Sequence, residues 1–88
     1  MYIHLGQDTV VKKSDIIGIF DMDNTTVSKR TRDFLNKAEK KGRVVNVSFE
    51  LPKSFVVCKK EKENFIIYIS QLSSATLLKR CESKIEII

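Results

Sequence analysis

Asp21 and Asp23 stand two residues apart, with Thr25 two further on, where the apolar start of "IIGIFDMDNTT" (residues 16–26) gives way to polar residues. Carboxylates so spaced can divide the work of phosphoryl transfer. Phosphoryl transfer by such a pair also needs a divalent cation, which further carboxylates must hold. Those parts are missing. After Asp23 the one remaining aspartate is Asp33, within a predicted helix, and no later strand ends in an acidic pair.

The Asp-x-Asp-x-Thr pattern resembles the nucleophile motif of the haloacid dehalogenase phosphatases, which stays a remote alternative. The resemblance implies that Asp21 attacks phosphorus, Asp23 serves as general acid and base and Thr25 positions the phosphoryl group, with magnesium, a lysine and a hydroxyl held by later strands of a doubly wound sheet. A motif without its structural context is weak evidence. The simpler reading is an apolar strand that leaves the core into a loop of Asp, Asn and Thr, whose residues cap the next helix. No catalytic residue is assigned and no enzyme is expected. Cys58 and Cys81 lie far apart in the sequence, neither in a Cys-x-x-Cys pair, and His4 is the single histidine, so no zinc ligand set, metal or cofactor is expected.

The elements that must position any site follow from periodicity. Tyr2 to Leu5 and Thr9 to Lys12 are short β-prone runs about a Gly6-Gln7-Asp8 turn, which predicts a hairpin. Ile16 to Phe20 is a third strand, with Asp21 to Thr25 as its exit loop. From Val27 the period changes, and Val27, Thr31, Phe34, Leu35 and Ala38 fall on one helical face, capped by Thr25 or Thr26 and closed by Gly42. Three strands follow, Val44 to Phe49, Ser54 to Lys59 and Phe65 to Ser70, separated by Leu51-Pro52-Lys53 and by Glu61 to Asn64, which predicts a meander. Ser73 or Ser74 caps a short final helix through Cys81, and residues 84–88 are read as a tail or a docking strand. The expected fold is α+β: a single domain over 1–88, mostly antiparallel, in the order β-β-β-α-β-β-β-α, with one central amphipathic helix and a short C-terminal one.

Charge is concentrated on the central helix. Between Lys29 and Arg43 there are seven basic residues against Asp33 and Glu39, so this segment carries the whole net charge of +5. At about 100° per residue the apolar positions fill one sector and the basic ones spread over the opposite half. A single-sign field on one element is the footprint of phosphate binding, while a solvated lysine-rich helix face is the plain alternative. No Trp or Phe flanks the basic face as membrane contact would require, and no apolar run approaches the ~18 residues of a span. The start "MYIHLGQD" is no basic-then-apolar leader, so a cytoplasmic protein with reduced cysteines is expected. With 88 residues and neither disulfide nor metal, self-association is the expected support for a small core.

Taken together, the strings "MYIHLGQDTVV", "DIIGIFD", "PKSFVV" and "ISQLSSATLLKR" resemble the RemA/RemB extracellular matrix regulatory family of Gram-positive bacteria, and most closely its RemB branch. Nearly the whole chain is covered. The resemblance implies a DNA-binding regulator of extracellular matrix (biofilm) genes that assembles into a ring homo-oligomer with double-stranded DNA around the outside. The RemA branch is arginine-rich in the hairpin after the central helix, where this chain has Glu50-Leu51-Pro52-Lys53-Ser54 and keeps Lys53 alone. Before the third strand it has Lys12, Lys13 and Asp15. The DNA-binding candidates are therefore Arg30, Lys37, Lys40 and Lys41 on the helix, with Lys12, Lys13 and Lys53. The expected partners are double-stranded DNA and further copies of the chain, with no small-molecule substrate. A ring that has lost DNA binding and pairs with another protein is the main rival.

Overall fold

The computed structural model describes residues 1–22, 29–62 and 64–82. The chain runs β1 (Tyr2–Gly6), β2 (Thr9–Lys12), a 3-10 turn (Lys13–Asp15), β3 (Ile16–Asp21), α1 (Lys29–Lys40), β4 (Val44–Asn46), β5 (Ser54–Lys59), β6 (Phe65–Ser70) and α2 (Ser74–Glu82). The fold is α+β, as expected, with two helices and two mostly antiparallel sheets. Asp23, Thr25, Thr26 and Val27, to which the second carboxylate, the hydroxyl, a cap and the first helical position were assigned, lie outside the described residues, as do 84–88.

Strands β1 and β2 pair as the expected hairpin, a sheet of their own. The other four form a sheet in the order β3-β5-β6-β4, with β4 parallel to β6. The expected meander is therefore wrong in its first step: β4 lies beside β6 and not beside β5. Burial explains why. Every residue of β5 from Ser54 to Cys58 is buried, so this strand needs cover on both faces and takes a central place, whereas three-residue β4 serves as a short edge. The expected strand to Phe49 also stops early, at Asn46. Val47 still donates to the Ile69 carbonyl at 2.9 Å, but the Ser48 hydroxyl then accepts the Glu50 N–H at 3.1 Å, a side-chain turn that takes the chain off the sheet.

Each face of the four-stranded sheet has its own cover. On one side Phe55, Val57 and Ile67 pack with Ala38 of α1, joined by Leu35 and Val44. On the other, Val56 and Cys58 meet Ile3, Leu5 and Val11 of the hairpin and Leu77 of α2. The alternation along β5 divides its side chains between the two layers. Gly6, at φ +124, has a backbone angle that L side chains rarely adopt, so the turn requires glycine there. No helix among the described residues is long and apolar enough to cross a membrane.

Candidate functional site

The end of α1 is built by a Schellman motif. Gly42 adopts φ +70, its N–H donates to the Glu39 carbonyl at 3.0 Å, and the Arg43 N–H reaches back to the Ala38 carbonyl at 2.9 Å. The chain leaves the helix with Arg43 fixed at the mouth of β4, where its own carbonyl accepts the Ile67 N–H at 2.8 Å. A second turn stands beside it. Between β5 and β6 the Lys60 N–H donates to the Asn64 carbonyl at 3.0 Å, and the Asn64 N–H to the Glu61 carbonyl at 2.8 Å.

These two turns bring cations from different elements together. Lys41, Arg43 and Lys60 line one depression, with Glu61, Asn64 and Phe65. Lys60 also lines a neighbouring hollow with Lys12 of β2, Lys59, Tyr2 and one carboxylate, Asp15. The two hollows thus form one basic end of the molecule. The Arg43 guanidinium donates to Asn64 Oδ1 at 3.3 Å and lies 5.4 Å from the centre of the Phe65 ring, which in turn stacks on Phe34 of α1 at 5.6 Å.

The basic flank of α1 leads to that end. Arg30, Phe34, Lys37 and Lys41 recur at the i, i+4, i+7, i+11 spacing of one helical line and all four are exposed, so these cations border the apolar sector at Phe34 and do not lie on the half opposite it as expected. Lys40 is exposed on the same last turn. The remaining candidates stand apart. Lys13 begins the 3-10 turn, its N–H on the Met1 carbonyl at 2.9 Å, and its charge acts on the Cys81 thiol of α2. Lys53 precedes β5 and donates its N–H to the Ser70 carbonyl at 2.9 Å, ~20 Å of extended chain from Lys59. Of the sequence candidates, then, Lys12 and Lys41 share the basic end, with Lys37 and Arg30 along the helix toward it. Arg43, Lys59 and Lys60 were missed as site residues. The signal available for them was the Lys59-Lys60 pair ahead of a predicted turn and an arginine directly after a helix-ending glycine.

The arrangement offers phosphate contacts more than chemistry. Asp21 closes β3 opposite Ser54, at the far end of β5 from Lys59. Among the described residues no group of three or more His, Cys, Asp or Glu stands together as a metal site. Burial, helped by the Asp15 carboxylate, pushes the Cys58 thiol up to about 11, and Cys81 is raised for the same first reason, the opposite of an activated nucleophile.

Comparison with known proteins agrees with the family resemblance. The family model described as RemA-like, extracellular matrix regulatory protein A-like, matches residues 2–81. Extracellular matrix regulatory protein B of Bacillus subtilis (strain 168) is 45% identical over 87 residues, covering 99% of this chain and 98% of that protein. The match runs through both helices and both sheets, so the chain belongs to the RemA-like family of extracellular matrix regulatory proteins.

Proposed function

We propose that the chain is a cytoplasmic, DNA-binding regulatory or architectural protein that acts as a ring-like homo-oligomer in the control of extracellular matrix genes. The observation that carries this reading is the gathering of cations: exposed Arg30 and Lys37 on α1 and Lys41 just past its end lead toward two adjoining hollows where Arg43, Lys60 and Lys12 outnumber Glu61 and Asp15. Three separate elements contribute cations to one side, as a protein that lies along a phosphate backbone requires. The regulatory name of the Bacillus relative supports the same direction. It also favours a protein that binds and does not turn over a substrate.

One subunit touches few phosphates and binds poorly. In a ring the faces act together, so affinity rises through effective concentration without new contacts, and the DNA follows or wraps the assembly. Lysines dominate the helix flank, so the contacts position the backbone more than they read bases. The double charge reversal Lys37→Glu with Lys41→Glu is expected to weaken binding to every duplex sequence alike in an anisotropy assay while the oligomer stays intact. Unchanged binding in that variant removes the helix flank from the interface.

The rival, a ring that binds a protein partner and not DNA, draws on the loop between β4 and β5. Phe49 is 109% exposed there and Leu51 78%. Absence of any mobility shift of duplex DNA at low salt by the assembled protein makes this rival the better account.

A further inference from the structure

We infer that Arg43, flanked by Lys41 and Lys60, forms a preorganised seat for a single phosphate group at the basic end of the sheet. The seat rests on the DNA-binding reading for the source of its phosphate, and it names where on the basic surface the backbone is gripped.

Three cations from two turns surround one depression: Lys41 and Arg43 between α1 and β4, and Lys60 after β5. Like charges brought together in a hollow repel each other, and an entering anion relieves that repulsion. Among the described residues, Glu61 is the one acidic residue in the lining. Arg43 is the best held of the three. Its backbone is bonded on both sides, N–H to Ala38 and carbonyl to Ile67, and its guanidinium rests on the Phe65 ring with one NH2 group on Asn64 Oδ1. Asn64 and Phe65 are neutral, so these two contacts hold the fork without cancelling its charge. A guanidinium has five N–H donors, and the Asn64 bond takes one, which leaves donors for two parallel bonds to phosphate oxygens.

Asn64 ties the site together. Its side chain accepts from Arg43 while its carbonyl accepts the Lys60 N–H, so the arginine and the turn lysine keep a fixed relation. Because the fork is already ordered, little side-chain freedom is lost when an anion arrives. Lys37 and Lys53, by contrast, are exposed ammonium groups without a planar fork.

The test has two arms on the full chain. In the first, 15N-labelled protein is titrated with inorganic phosphate and followed by NMR. The largest shifts are expected at the amides of Gly42, Arg43, Lys60 and Asn64 and at the Arg43 side-chain Nε, and they are expected to shrink sharply in Arg43→Lys, which keeps the charge and loses the fork. Shifts spread evenly over the lysines, or unchanged in that variant, overturn the seat. In the second arm, duplex binding is measured by anisotropy for Arg43→Lys, Lys60→Gln and Lys53→Gln. The first is expected to weaken binding about tenfold, the second to weaken it less, and the third to leave it near wild type. If Arg43→Lys does not fold, the exposed Lys60→Gln variant carries both arms. Wild-type duplex binding that neither seat variant reduces overturns the seat and leaves the DNA reading standing. Phosphate shifts at the seat without duplex binding at low salt contradict the DNA reading and assign the seat to a free phosphate compound.

Discussion

The Ser70 hydroxyl ties the two sheets together. It donates to the Leu5 carbonyl of β1 at 2.7 Å and accepts the Leu72 N–H at 3.0 Å, and the residue is fully buried. Ser70→Ala leaves both backbone groups without their partner, so a loss of ~1–3 kcal/mol in urea unfolding is expected, with no change in secondary structure by circular dichroism. Cys58 gives a pH prediction. Its unfolded thiol ionises near the ordinary 9.0 and the folded one at about 11, because burial disfavours the thiolate. Between those values the folded state holds more protons than the unfolded one. Stability from this group is thus complete below pH 9.0 and falls as pH rises toward 11. The urea midpoint is expected to drop more between pH 8 and 10 in the wild type than in Cys58→Ala, and parallel slopes contradict the assignment. Neither role was legible in the sequence. Ser70 ends a β-prone run like any surface serine, and its partner is 65 residues away.

At the scale of elements, α2 holds the hairpin to the sheet. Ser73 caps it, its hydroxyl accepting the Thr76 N–H at 3.1 Å, and Arg80 donates to the His4 carbonyl of β1 at 2.7 Å. Leu77, with no exposed surface, fills the space between them. Leu77→Ala is expected to cost ~2–5 kcal/mol of unfolding free energy and to speed amide hydrogen exchange in β1 and β2 more than in β5. Uniform acceleration across both sheets denies α2 this local role. Much of this scale could be read beforehand. The Ser73 cap, the Gly42 stop and the strands at Thr9–Lys12, Ser54–Lys59 and Phe65–Ser70 follow from local periodicity and turn chemistry. The partner of β4 could not, because alternation says which residues share a face and nothing about which strand lies alongside. The 3-10 turn at Lys13–Asp15 was missed for a similar reason: three polar residues between two strands carry no period.

For the whole molecule, the core is small and apolar surface is left uncovered. The sheet ends at β3, an edge strand on which Ile17 is 66% and Phe20 47% exposed, and the β4–β5 loop adds Phe49 and Leu51. Contacts that close into a ring remove sheet edges and bury such residues together. Size exclusion with light scattering is expected to give a mass several times the 10.1 kDa of one chain, and a stable single-chain mass at micromolar concentration contradicts the ring. The sequence located the charge on α1 correctly but not its extension. Lys12, Arg43, Lys59 and Lys60 become one surface only when the hairpin, the helix end and the β5–β6 turn meet in space. The central claim, that this surface grips the DNA backbone, is tested most directly by the salt dependence of duplex binding by the assembled protein. Each neutralised phosphate contributes about −0.9 to the slope of log affinity against log salt. A linear plot with a slope steeper than about −3, alike for unrelated sequences, is the predicted result. Binding that is insensitive to salt, or none at low salt, contradicts it.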